Sequence, residues 1–266
     1  MQKFLNQTQI KKIFNIIEKC GNIARDNFHN KNFEIFVKED GSKVTSTDLK
    51  ISDIISKELA EIFPHIPIIC EEKKLRNADK IFFLIDPIDG TSSYIKNNNE
   101  FCINLALIID KSPVFGIIYA PIFENSKFVF NHGNEVFLGN NSNFENILPI
   151  KSKRKIITDS LKIITSPRTK ADLINKFCLE HFSSSKIHQI ENLSSALKFF
   201  RIIEGNSNLY IHPRRSMEWD TASGHAIVKA LGYEVKNFKI LEEKIIIDSD
   251  LKYQKNNFEN SGFIIF

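Results

Sequence analysis

The strongest constraint in this chain is the segment Asp86-Pro87-Ile88-Asp89-Gly90-Thr91-Ser92-Ser93-Tyr94, which follows the apolar run Ile81-Phe82-Phe83-Leu84-Ile85. An unbroken run of this kind reads as a buried strand. That strand therefore delivers two carboxylates, three positions apart, to its C-terminal end. Pro87 holds Asp86 extended, because the proline ring clashes with a helical residue before it. Gly90 permits a sharp turn and close approach by a ligand. Thr91 and the two serines can open a helix whose free N–H groups suit a phosphate. One short segment could thus offer carboxylates to cations and amides to an anion, the two halves of a metal-dependent phosphate site.

The rest of the chain is large enough to support such a site. Its 266 residues, 42% apolar, can bury one large domain or two intimate halves. The net charge of +4 comes from 36 basic and 32 acidic residues that are well mixed, which is no nucleic-acid signature. The basic run 151–155 lacks interleaved aromatics and reads as a solvated linker, so no nucleic-acid partner is expected. Cys20, Cys70, Cys102 and Cys178 are widely spaced, with no Cys-x-x-Cys pair. Reduced, buried thiols and a cytoplasmic location are the expectation. The first residues lack the apolar stretch of a signal peptide, and no run is long enough to span a membrane. Peripheral association with an inner membrane and the oligomeric state are left open.

Ile10, Ile13, Phe14, Ile17, Cys20, Ala24 and Phe28 recur at helical spacing and predict a first helix over 7–29. Phe33, Ile35 and Val37 alternate as in a strand. After the Asp40-Gly41 turn, residues 42–48 lead into a second helix, with Asp48 in its first turn and Pro64 at its end. A short strand, 66–70, ends in Glu71-Glu72; if it neighbours the strand before Asp86, Glu71 comes near Asp86. Strands over 101–109, 114–120, 127–130 and 135–138 form an antiparallel meander with helices on at least one face. The polar stretch 139–160 is the expected boundary between two halves. Residues 1–150 form an α+β half with most of the candidate ligands, and 151–266 an α/β half with Asp220 and substrate contacts. Within the second half, strands are expected at 162–166, 186–190, 208–211, 243–247 and 262–265. Helices are expected at about 168–182, at about 194–204, and from Asp220 to Gly232. Taken alone, Asp220 reads as a helix N-cap and Lys198 as an exposed helix lysine.

Magnesium takes oxygen ligands at about 2.0–2.1 Å and pairs protein carboxylates with substrate phosphate. Paired ions therefore need acids from different chain segments. Glu71, Asp86, Asp89 and Asp220 are the candidates.

The Asp86–Thr91 segment resembles the Asp-Pro-Ile/Leu-Asp-Gly-Thr signature of the inositol monophosphatase superfamily, lithium-sensitive and magnesium-dependent phosphatases. Trp219-Asp220-Thr221-Ala222-Ser223-Gly224 resembles the second signature, Trp-Asp-x-Ala-x-Gly. The resemblance implies an α+β fold, the layered αβαβα sandwich of the inositol monophosphatase and fructose-1,6-bisphosphatase type. It also implies phosphomonoester hydrolysis with two or three Mg²⁺. Glu71, Asp86 and the Ile88 carbonyl would hold the first ion, and Asp86, Asp89 and Asp220 the second. Glu71 would also touch a third. Thr91, with Asp48 or Glu71, would orient the attacking water, and backbone N–H groups of Gly90 and Thr91 would hold the phosphate.

Segments 38–45, 100–107, 113–121 and 194–199 are most similar to the CysQ-type 3′(2′),5′-bisphosphate nucleotidases. That branch implies removal of the 3′-phosphate of adenosine 3′,5′-bisphosphate, with Ser195 and Lys198 on a small phosphorylated substrate. Two departures stand out: Ser194 replaces the branch's glycine, and residues 212–218 do not follow its pattern. An inositol-phosphate or sugar-phosphate phosphatase of the same fold, and a non-catalytic nucleotide or metal sensor, are the competing readings.

Overall fold

The protein was analysed as a computed structural model, which describes residues 4–73, 78–140, 147–152, 154, 160–241 and 244–266. The predicted first helix is α1 (Gln7–Asn30), opened by an Asn6–Gln9 capping box. A two-stranded ribbon follows, β1 (Ile35–Val37) and β2 (Lys43–Thr45), and then α2 (Ser46–Ile62). All three residues of β1 are exposed, so its apolar alternation does not mark a buried face. Beyond it lie β3 (Ile68–Cys70), β4 (Ile81–Asp89) and the short helix α3 (Thr91–Ile95). The meander is β5 (Cys102–Ile109), β6 (Ser112–Ala120), β7 (Lys127–His132) and β8 (Glu135–Asn140), with β9 (Pro149–Ile150) added at its edge. Together β3 to β9 form a seven-stranded sheet in sequence order, antiparallel except for β3 beside β4.

The second half supplies β10 (Ser160–Thr165), α4 (Ala171–His181), β11 (Lys186–Asn192), α5 (Leu197–Ile203) and β12 (Leu209–His212). After β13 (Ser216–Met217) come α6 (Glu218–Ala230), β14 (Val235–Leu241), β15 (Lys244–Asp250), β16 (Glu259–Asn260) and β17 (Gly262–Ile265). Six of these strands form a second sheet in the order β11-β10-β12-β17-β14-β15. Strand β14 was not expected from the sequence. Its pairing with β15 slips between Lys236 and Phe238, so its apolar residues fall out of simple alternation. The expected boundary at 139–160 lies largely outside the described residues, as does Glu243 of the predicted strand 243–247.

Alternate side chains of each sheet enter different cores, which fixes the layer order. Phe83 and Ile85 of β4 pack with Ile13, Ile17, Ile51 and Ile55 of α1 and α2. Phe82 and Leu84 face the other way, onto Phe199, Ala222 and Ile227 of α5 and α6, where Ile164, Tyr210 and Phe263 of the second sheet meet them. The far side of that sheet, through Leu161, Ile163 and Ile211, packs on Ile174 and Phe177 of α4. The order is αβαβα, as expected. Because the first sheet is covered on both faces, its strands read as continuous apolar runs. Each fully buried aromatic or branched aliphatic side chain there contributes roughly 1.5–3 kcal/mol. Helix α6 approaches β6 so closely that a Cβ at Gly116 would lie 2.2 Å from the Ser223 carbonyl oxygen.

Candidate active site

Residues three apart on a regular strand face opposite sides. Asp86 and Asp89 nevertheless converge, because the β4–β5 ladder carries an irregularity between them. Asp86 pairs with Asn104 and Asp89 with Cys102, leaving one extra residue on β4. Pro87, which has no N–H to donate, sits inside the bulge. The Asp86 carboxylate accepts the Ile88 N–H at 3.1 Å. Gly90 then turns the chain at φ +98°, where a Cβ would lie 2.6 Å from the Glu100 carbonyl oxygen, so no other residue fits. The strand thus continues through the two aspartates instead of ending at Ile85, and α3 begins at Thr91.

Asp48 comes from the first turn of α2, where its carboxylate closes a capping box with Thr45. Its other oxygen accepts the Thr91 hydroxyl at 3.0 Å, and that hydroxyl also lies 3.0 Å from the Ile88 carbonyl. Two backbone features read separately in the sequence, a helix start and a strand-end turn, therefore meet at Asp48–Thr91. Asp220 comes from the opposite half. It is the third residue of α6, not the N-cap, and accepts the Met217 N–H at 2.8 Å. Carboxylate oxygens of Asp86, Asp89 and Asp220 all lie within 4.8 Å of one another. Glu71 stands outside this trio, held by Lys38 at 3.0 Å, while the same ammonium reaches Glu72 at 2.7 Å. Its charge still acts on Asp86, more strongly than that of Asp89 or Asp220.

The trio is electrostatically strained. Burial pushes the Asp86 carboxyl well above the ordinary carboxylate range, and repulsion from Glu71 and Asp89 adds to it. Burial likewise raises Asp220, helped by the charge of Asp89. Asp89 is pushed up to about 6 by burial, against the lowering pull of Lys198 and of its hydrogen bonds. It accepts the Asn104 amide at 3.0 Å and the Ala196 N–H at 2.5 Å. Neither partner was singled out from the sequence. The signal for Asn104 was available: it is the one polar residue in the apolar strand 102–109. Lys38 and Ala196 lie in the matched segments 38–45 and 194–199, but their contacts depend on distant segments and could not be read from them.

A cavity of about 550 Å³ opens beside Asp89 and Asp220. Gly90, Ser195 and Lys198 line it, as do Tyr210, His212 and Arg214 from the second half. Lys198 is buried, 4% exposed, not the exposed helix lysine of the local reading. It is the second residue of α5, where the sheets close over it. Its ammonium donates to the carbonyls of Leu193 and Ser195 and lies 5.8 Å from the Tyr210 ring centre. Burial lowers its pKa, and the charge of Asp89 opposes that. Ser195 turns its hydroxyl back onto the Ser194 carbonyl at 2.8 Å. Ser194 in turn donates its N–H to Glu100 at 2.8 Å.

The sequence model of the inositol monophosphatase family matches residues 6–257. The chain belongs to that family. It is 31% identical to the 3′(2′),5′-bisphosphate nucleotidase CysQ of Buchnera aphidicola, across 96% of this chain and 92% of that protein. The structure of CysQ from Bacteroides thetaiotaomicron superposes with a TM-score of 0.72 at 23% identity, covering 97% of both chains. An inositol monophosphatase/NADP phosphatase complexed with Mg²⁺ and phosphate superposes at 0.71 with 19% identity, covering 97% of this chain and 90% of that one. The layered α+β architecture is therefore the family's own.

Proposed function

We propose that this family phosphatase hydrolyses the 3′-phosphate of adenosine 3′,5′-bisphosphate to give AMP, with Mg²⁺ as its cofactor. The observation that carries the reading is the convergence of Asp86, Asp89 and Asp220, from distant parts of the chain, with Asp89 and Asp220 at the wall of one cavity. Three hard oxygen donors whose charges repel one another are suited to a divalent cation, which would relieve that repulsion. Asp86, Asp89 and Asp220 would hold one ion. Asp86, the Ile88 carbonyl and Glu71 would hold another once Glu71 leaves Lys38. Bound Mg²⁺ would supply a nucleophile at neutral pH and neutralise charge on the leaving oxygen. Thr91 orients the attacking water with its hydroxyl, and Asp48, to which that hydroxyl donates, takes up the proton. Backbone N–H groups of Gly90 and Thr91 face the phosphate. Lys198 and Ser195 lie on the side where the nucleotide would extend.

The nucleotidase reading is supported by the likeness to CysQ proteins over most of the chain and by a cavity far larger than a phosphate needs. The test is phosphate release with Mg²⁺ from adenosine 3′,5′-bisphosphate, its 2′ isomer, inositol 1-phosphate and fructose 1,6-bisphosphate. The bisphosphate nucleotide is expected to have the highest kcat/KM. Preference for inositol 1-phosphate would overturn the substrate while keeping the family chemistry, and full activity in chelator would overturn the metal.

A further inference from the structure

The loop 193–196, between β11 and α5, is held in a conformation that its sequence disfavours. Ser195 takes φ +52°, in the left-handed region that residues other than glycine rarely adopt. Such a residue persists only where its surroundings over-determine it. From inside, Lys198 holds the Leu193 and Ser195 carbonyls, and Leu193 donates its N–H to the Thr165 carbonyl at 3.1 Å. The strand that enters the loop adds little packing. It is an edge strand of the second sheet, and none of its residues is buried.

The remaining restraint on that strand is ionic. Glu191 of β11 accepts Nε of Arg201 at 2.8 Å. Arg201 lies on α5, one turn beyond Lys198. Its Nη1 is 2.8 Å from Glu124, in the β6–β7 turn, and 3.6 Å from Glu204. Its guanidinium carbon lies 5.6 Å from the centre of the Phe123 ring. The turn is itself tightly set. Glu124, Asn125 and Ser126 take φ +44°, +63° and +64°, and Lys127 pairs with both Glu124 and Glu204. A lone exposed ion pair contributes little. The Arg201 side chain is only 15% exposed and is shared among three acids, so its hold is firmer. None of Arg201, Glu191 and Glu124 lines the cavity beside Asp89 and Asp220. The network therefore joins the first sheet, the edge of the second and α5 from outside that cavity.

We propose that Arg201 is a positioning residue. By holding Glu191 and Glu124 it ties the strand entering the loop to the helix leaving it, so that the Ala196 N–H meets Asp89 and the Ser194 N–H meets Glu100. Its effect on turnover rests on the proposed role of Asp89 in the phosphatase site.

The test uses the full chain, ¹⁵N-labelled at alanine, with Arg201→Gln, Glu191→Gln and the two together. Glu191→Gln is nearly isosteric and sits on an unburied strand, so it is expected to keep the fold. In chelator and without substrate, the Ala196 amide proton should lie downfield in the parent, as a short bond to a carboxylate requires, and move upfield in either variant. With Mg²⁺, either variant should lower kcat/KM on adenosine 3′,5′-bisphosphate by about tenfold or more, since a small misplacement far from the chemistry can cost about 10²-fold. The double variant should be no worse than Arg201→Gln alone, because the two residues act as one pair. An Ala196 signal that stays in place in both single variants, a fall in Tm with kcat/KM unchanged, or losses that add in the double variant would overturn the positioning role. A parent that prefers inositol 1-phosphate would overturn the substrate reading instead, and the Ala196 signal would still decide this one.

Discussion

The two walls of the cavity beside Asp89 and Asp220 are built by different rules. Of the acids around the acidic wall, Asp86, Asp48 and Asp220 are each held by a neighbour in sequence, Ile88, Thr45 and Met217 in turn, whereas Asp89 is held from farther along the chain. On the facing wall the contacts cross long stretches of chain. Ala196 donates to Asp89, and Ser194 to Glu100. Four residues can fix a carboxylate in a capping box or a bulge almost wherever they are placed. The facing wall exists only once the two sheets close on α5 and α6. The acids are therefore placed largely by local backbone features, and the facing wall is assembled by the whole fold.

The largest expected effect breaks the acidic wall. Asp89→Asn should lower phosphate release by about 10³-fold or more, because the anionic oxygen proposed to hold Mg²⁺ is lost. The metal-free variant should nevertheless melt no lower than the parent, since it removes a repelling buried charge. Near-parental turnover would remove Asp89 from the chemistry. A large fall in Tm would mean that the cluster is structural.

Lys198 tests the other wall. Its ammonium is anchored on the Leu193 and Ser195 carbonyls, so it shapes the loop as well as facing the cavity. Lys198→Met keeps the stem and removes the charge. Loss of kcat/KM on adenosine 3′,5′-bisphosphate by about 10–100-fold, with a smaller loss on inositol 1-phosphate, is expected if the lysine contacts the nucleotide. Equal losses on both substrates would make it a loop-positioning residue.

The same division governs what could be read in the sequence. Helices α1 and α2, the meander and the acids of β4 and α6 were legible because periodicity, turns and short motifs specify them. The bulge that turns Asp86 and Asp89 to one side was not, since strict alternation predicts opposite faces. Nor was the burial of Lys198, which is set by sheet closure, or the Lys38 clasp on Glu71 and Glu72, which joins a surface hairpin to the end of β3. Strand β14 was missed for the reason that hid the first bulge: an extra residue breaks the pattern of two.

A smaller effect concerns pH. The Asp89 carboxyl is raised from 3.8 to about 6 in the folded chain. Between those values the unfolded chain has released this proton while the folded one retains it. Its contribution to stability therefore falls as pH rises through that window, and the full penalty remains above it. The Tm advantage of Asp89→Asn over the parent, in chelator, should grow from about pH 4 to about pH 6 and then level off. Saturating Mg²⁺ should stabilise the parent by about 2.7 kcal/mol at 100 times the Kd and shrink that advantage. An advantage that is constant across the window would place Asp89 in a solvated environment.

The smallest effect separates the two arginines of the facing wall. Arg215 is 83% exposed at its side chain and pairs with Glu259 at 3.0 Å, across the β13–β16 ribbon. An exposed pair of this kind contributes about 0–1 kcal/mol. Arg215→Ala should therefore change KM less than about twofold and barely move Tm. Arg214 has no ion pair among the described residues and also lines the cavity. Arg214→Ala should raise KM more for a bisphosphate than for a monophosphate, because a guanidinium can grip a second phosphate through two parallel hydrogen bonds. If Arg215→Ala produced the larger KM change, the ribbon pair must open when substrate arrives. The facing wall would then be completed by the ligand as well as by sheet closure.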